Sequence, residues 1–151
     1  MQCKILLDEN CEQPCVIIRT ARVTPEIELL KKQIENSRPS LQGYRDGQLY
    51  LLPQADVIRV YSEKQRVWTE TEQGVFLLRG RLYEAEALLD KTIFIRISSS
   101  EIVNSKCIQK LDVSLTGTIG VYLDCGIRTY ASRRYVTRIK EFFGLRKGGT
   151  T

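Results

Sequence analysis

From residue 48 the chain settles into a beat of five- and six-residue runs rich in β-branched and aromatic residues, separated by turn signals two residues long. That beat admits little besides antiparallel sheet, because strands joined by so few residues can only fold back on one another. The runs 48–52, 57–62, 66–71 and 75–79, with Lys64-Gln65 and Gln73-Gly74 as tight connections, predict a β-meander. The beat breaks at 81–90, where Leu82, Ala85 and Leu89 recur at helical spacing with Glu84 and Glu86 outward, predicting a short amphipathic helix. Strands resume at 93–97, 108–115 and 118–123, the last two joined at Thr116-Gly117, and Asp124-Cys125-Gly126 turns the chain into 128–131. Tyr135, Val136, Ile139, Phe142 and Phe143 then follow a 3.6-residue period, so a final helix is expected with Arg134 and Arg138 on its polar side.

The first 40 residues read differently. Residues 2–7 and 15–20 are apolar, β-branched runs and predict two strands. Thr24 before Pro25 predicts a helix start: the hydroxyl can cap, proline suits the first helical position, and Glu26 and Glu28 complement the dipole. Ile27, Leu30 and Ile34 share a face as far as about Asn36, and 37–40, with Pro39, read as a linker. The expected organisation is a small strand-strand-helix extension over 1–40, a main domain over 41–146 and a flexible tail over 147–151.

Charge is divided unevenly. Residues 91–151 carry 11 Lys+Arg against 4 Asp+Glu, a net +7, which leaves the first 90 residues at −2. A cationic half is the footprint of phosphate-backbone binding, and plain basic surface gives the same count. The five cysteines include no CxxC pair and the chain has no histidine. A Cys/His zinc site is excluded, histidine-activated nucleophiles are excluded with it, and the thiols are expected to be reduced and mostly buried. No paired-carboxylate constellation, Walker loop, leader or run of 18 apolar residues is present, so a cytoplasmic protein without cofactors is expected.

Three turn regions gather polar and cationic groups: Lys64-Gln65-Arg66, Ser98-Ser99-Ser100 following Arg96, and Ser132-Arg133-Arg134. Such groups hold phosphates, and arginine can also fork onto guanine in the major groove. Hairpin chemistry, a serine turn and a solvated helix face account for the same residues without a ligand. A β-rich adaptor whose basic face meets an acidic protein or an anionic membrane therefore stays open, as does a carboxylate enzyme built on Glu101, Asp112 and Asp124.

Five pieces in order, DVIRVYSE at 56–63, RGRLYEAEALL at 79–89, FIRISSSEIVN at 94–104, VYLDCG at 121–126 and SRRYV at 132–136, resemble the LytTR DNA-binding domain of bacterial transcription regulators. The resemblance implies a mainly β fold of elongated antiparallel sheets with short helices. It also implies a transcriptional regulator that binds promoter direct repeats, reaches successive major grooves through loops and bends the DNA. In that comparison Arg134 matches the C-terminal arginine of the base-reading set, and Ser99 stands where asparagine, lysine or arginine is usual. Ser98 stands where many relatives carry histidine, Lys64, Gln65 and Arg66 lie near the first DNA loop, and Asn104 matches a motif asparagine. With Arg96, Ser100, Lys106, Arg133 and Arg138 these make up the expected DNA-binding set. The chain looks like the stand-alone form without a receiver domain. That form implies a homodimer or paired monomers, with a small membrane protein as a possible inhibitor and residues 1–36 as the surface for dimerisation or inhibitor contact.

Overall fold

The computed structural model describes residues 1–145 except Gln13 and Asn36; the tail expected at 147–151, and Arg146 before it, lie outside the described residues. The chain divides into two units, Met1–Glu35 and Asn36–Thr151. In the first, helix α1 (Pro25–Glu35) begins as its sequence dictates: Thr24 Oγ1 accepts the Ile27 amide at 3.3 Å, and the acidic pair Glu26 and Glu28 occupies the first turn. The strands expected at 2–7 and 15–20 do not form. An isolated hairpin gains too little in water, and most of its apolar side chains are uncovered here: Ile5, Leu6, Leu7, Val16 and Ile17 are between 65% and 96% exposed. The extension is thus a helix preceded by chain without regular secondary structure.

Among the described residues, the second unit is built from ten antiparallel strands. Seven of them, β1 (Leu41–Arg45), β2 (Gln48–Leu52), β3 (Val57–Glu63), β4 (Arg66–Thr71), β5 (Gly74–Leu78), β6 (Phe94–Ser98) and β7 (Glu101–Asn104), form one sheet in the order β2-β1-β5-β4-β3-β7-β6. The other three, β8 (Ile108–Asp112), β9 (Ile119–Leu123) and β10 (Arg128–Ala131), form a second sheet in the order β10-β9-β8. Helix α2 (Leu82–Leu88) lies between β5 and β6 in the chain, and α3 (Arg133–Phe142) follows β10.

Alternation along the strands explains the layering. Val57, Val60, Phe94 and Ile102 face one way and pack with Leu82, Ala85 and Leu89 beneath α2. Ile58, Ile95, Ile97 and Val103 face the other way and pack against Ile119, Val121 and Leu123 of the second sheet and Ile139 of α3. The β3-β7-β6 end of the large sheet is therefore buried on both faces, whereas β2, β1, β5 and β4 bury one face and leave Leu49, Leu51 and Val75 exposed on the other. Gly43 marks the tightest approach, since a Cβ there would stand 2.7 Å from Leu52 and 2.8 Å from Phe76. Two hairpins close with consecutive left-handed residues, Asp46-Gly47 between β1 and β2 and Lys64-Gln65 between β3 and β4, the primed geometry that matches strand twist.

Candidate nucleic-acid interface

Two backbone hydrogen bonds bring the three predicted turn regions together. The β3–β4 turn holds Lys64 and Gln65, both exposed, with Arg66 next to them on β4. Ser62, just before this turn, donates its amide to the Ser100 carbonyl at 2.8 Å, which fastens it to the Ser99-Ser100 turn between β6 and β7. The Ser132 amide, at the start of α3, donates to the Ile97 carbonyl at 2.9 Å, one residue before Ser98. Lys64, Gln65, Arg66, Ser99, Ser100, Arg133 and Arg134 are all exposed around this single edge.

The side chains divide into those that project and those that hold. Arg96 holds: its Nε donates to the Ser98 carbonyl at 3.0 Å, one terminal nitrogen to the Ser99 carbonyl at 2.6 Å, and the other approaches Glu86 of α2 at 3.4 Å. These three contacts make Arg96 a brace for the turn. Ser98 is tied inward as well, since its Oγ accepts the Ser100 amide at 3.2 Å and lies 3.3 Å from Ser100 Oγ. A register shift between Arg96 and Ser98 gives the bulge that re-aims this hairpin tip.

The base of the same hairpin is fixed by charges that the sequence reading missed. Glu101, 7% exposed, accepts from Arg59 Nη1 at 3.0 Å and from Thr129 Oγ1 of β10 at 2.5 Å, while Arg59 Nε reaches Glu70 at 2.7 Å. Burial works against the Arg59 charge, but the hydrogen bonds and charges of Glu70 and Glu101 outweigh it and hold the guanidinium above its ordinary value. The signal was legible as a cation inside the apolar run 57–60, which needs a buried acidic partner. With Glu101 on Arg59 and Thr129, Asp112 engaged with Ser114, and Asp124 accepting from Gln109 Nε2 at 3.4 Å, each of the suggested carboxylate trio has its own structural partner. The two Ser114 hydrogen bonds hold Asp112 below the usual carboxylate range.

Three further members of the expected set sit elsewhere. Asn104 is 2% exposed, donates its amide to the Val57 carbonyl at 2.9 Å and accepts the Lys106 amide at 2.9 Å. No face of it is left for DNA, so its place in the contact set is corrected to a structural one. Lys106 follows Asn104 at the opposite end of β7 from the Ser99-Ser100 turn. Arg138 stacks on Tyr135 at 5.3 Å and rims a cleft with Lys91, Phe94 and Phe142. Arg133 lies against the β8–β9 turn, where a side chain on Gly117 (φ +75°) would meet its Nε at 2.9 Å. The thiols also depart from expectation: Cys3, Cys11, Cys15 and Cys125 are exposed, and only Cys107 is half-buried. Burial and the nearby Asp124 push the Cys107 thiol up to about 11. Among the described residues no group of three or more His, Cys, Asp or Glu is placed to hold a metal, and no helix is long and apolar enough to cross a membrane.

Residues 47–144 match the family model of the LytTr DNA-binding domain. An uncharacterised HTH-type transcriptional regulator of Staphylococcus aureus strain bovine RF122 / ET3-1 is 34% identical over 143 residues, 93% of this chain and 97% of its own. Another, from Staphylococcus aureus strain MSSA476, is 42% identical over 102 residues, 68% of this chain and 69% of its own. Among solved structures, the LytTr DNA-binding domain of a Bacillus cereus protein described as a methyl-accepting/DNA response regulator superposes with a TM-score of 0.69 at 22% identity, covering 72% of this chain and 99% of that one. The HTH label of the first two describes those relatives. In this chain α2 and α3 are separated by five strands, so the described residues contain no helix-turn-helix. The fold, the family match over 47–144 and the full-length likeness to the first relative agree that this chain belongs to the LytTr DNA-binding domain family, a family of DNA-binding regulators and not of enzymes.

Proposed function

We propose that the edge carrying Lys64 to Arg66, Ser99-Ser100 and Arg133-Arg134 reads promoter DNA through major grooves, with two copies side by side on a direct repeat and the duplex bent between them. The observation that supports this most is the pair of backbone hydrogen bonds, Ser62 to Ser100 and Ser132 to Ile97, that gather three separate turns into one cationic edge. Arg134 is the base reader in this scheme: it is exposed in the first turn of α3, and a guanidinium can fork onto guanine. Lys64, Arg66 and the hydroxyls of Ser99 and Ser100 are suited to phosphates. On this reading the protein acts where bacterial DNA is, in the cytoplasm.

The test is a binding titration against duplexes from the chain's own promoter, with half-site spacing varied, combined with gel mobility of the same site placed at different points along a fragment. Tight binding at one spacing and position-dependent mobility support the reading. Equal binding at every spacing would remove the direct-repeat reading, and uniform mobility would remove bending.

A further inference from the structure

Strand β6 ends the large sheet, and a cleft of about 370 Å³ opens where it meets α2 and α3. That volume falls in the range of small-molecule sites. Leu89, Ile95 and Ile102 supply an apolar lining, together with Phe142 of α3, which is 36% exposed. Four charged side chains line the same cleft: Glu86, Lys91, Arg96 and Arg138. Glu86 is offset by Arg96, 3.4 Å away. Lys91 and Arg138 make no ion pair among the described residues, and Asp90, next to Lys91, is taken up by Arg38 and Thr92. The cleft thus sets two uncompensated positive charges beside an apolar lining. Arg138 and Phe142 lie four apart on α3, so one of those cations and an aromatic ring share a face of the helix.

We propose that this cleft is a binding site for a small aliphatic carboxylate, its acyl tail on Leu89, Ile95, Ile102 and Phe142 and its head group paired with Lys91 and Arg138. Apolar walls with a few convergent polar groups are the general form of such sites: the walls supply affinity and the charges fix orientation. The two features together select this occupant. A bare phosphate or a DNA backbone gains nothing from the apolar part, a cationic amphiphile meets two like charges, and a neutral hydrocarbon gains nothing from those charges. The volume sets the tail at medium length. Lys91 precedes β6 and the Ser99-Ser100 turn follows it, so the head-group site and the reading turn belong to opposite ends of one strand. Arg96 stands between them, lining the cleft and donating to the carbonyls of Ser98 and Ser99.

The site does not depend on how DNA is read, so it is tested without DNA. Octanoate is titrated into the full chain, kept reduced, by calorimetry and by NMR of the methyl groups. Butanoate and octylammonium serve as comparison ligands, and K91E and R138E as variants whose fold is checked by circular dichroism. Octanoate is expected to bind with a dissociation constant of about 1 mM or below, as its few non-hydrogen atoms allow. Butanoate, shorter by four methylenes, and octylammonium, of the wrong charge, should each bind at least about tenfold more weakly. Each charge reversal should weaken octanoate roughly fivefold. The shifted methyls should be those of Leu89, Ile95 and Ile102. Shifts at Ile5, Leu6, Leu7, Val16 and Ile17 in their place would mean adsorption to the exposed N-terminal aliphatics and would overturn the proposal. So would no saturable binding up to about 10 mM, butanoate or octylammonium binding as tightly as octanoate, or an affinity unchanged in either variant.

Discussion

Arg134 and Arg96 carry the same guanidinium and are put to different uses by their surroundings. Arg134 is exposed in the first turn of α3, whereas Arg96 donates to two carbonyls of the turn it supports. Arg134→Ala should therefore cost about 1–3 kcal/mol of promoter binding and little on unrelated duplex, measured by fluorescence anisotropy. Lys140→Gln, on the same helix, should weaken both duplexes alike and lower the salt slope by about one. Glu86 supplies a test by sign. If Arg96 touched DNA, Glu86→Gln would free a cation, remove an anion and tighten binding to every duplex. Because Glu86 braces Arg96 instead, the substitution should loosen promoter binding by roughly threefold to tenfold and leave unrelated duplex unchanged. Charge and neighbours made both arginines visible in the sequence, but nothing there showed which one was already engaged. That is decided by the bulge after Arg96, which turns two carbonyls toward its side chain.

At the scale of elements, the β3–β4 hairpin shows function and stability pulling apart. Lys64 and Gln65 both take left-handed backbone angles, φ 51° and 64°, a conformation that costs a non-glycine residue about 1 kcal/mol and for which Asn-Gly is the favoured pair. Replacing Lys64-Gln65 by Asn-Gly should raise stability in urea titrations by about 1 kcal/mol while weakening DNA binding, because it removes a cation from the interface edge. Asn104→Ala should do the reverse, costing about 1–3 kcal/mol of stability by orphaning the buried Val57 carbonyl, with the promoter preference of the folded fraction intact. Strands 48–52 and 66–71 were legible to the residue, since alternation and turn chemistry agree there. Strand β7 was not, because Glu101 and Asn104 look like loop residues until their partners Arg59, Thr129 and Val57 come across from other strands. β1 was hidden by Gly43, a strand breaker by propensity that the packing of Leu52 and Phe76 requires.

Across the whole molecule, strands β3, β6 and β7, buried on both faces, supply the frame that joins the three turns of the proposed DNA-reading edge. The layering follows from alternation along β3, β6 and β7, and the family resemblance seen in five short pieces matches the fold that forms. The N-terminal strands were misread because propensity describes what a segment favours when something covers it, and Ile5, Leu6, Leu7, Val16 and Ile17 stay exposed. Thiol chemistry should map the same division. At pH 8, Cys3 and Cys125 should react readily with a maleimide while Cys107, its thiol held up to about 11 and half-buried, lags until the fold opens, as read by mass spectrometry of the digested protein. The most direct measurement of the joined DNA-reading edge is the affinity of wild type and Arg134→Ala for the promoter duplex and a scrambled one, across salt from about 50 to 200 mM. The prediction is steep salt dependence on both duplexes and a wild-type preference for the promoter of at least about 10³ that Arg134→Ala reduces. Equal affinity for the two duplexes, or binding indifferent to salt, would contradict it.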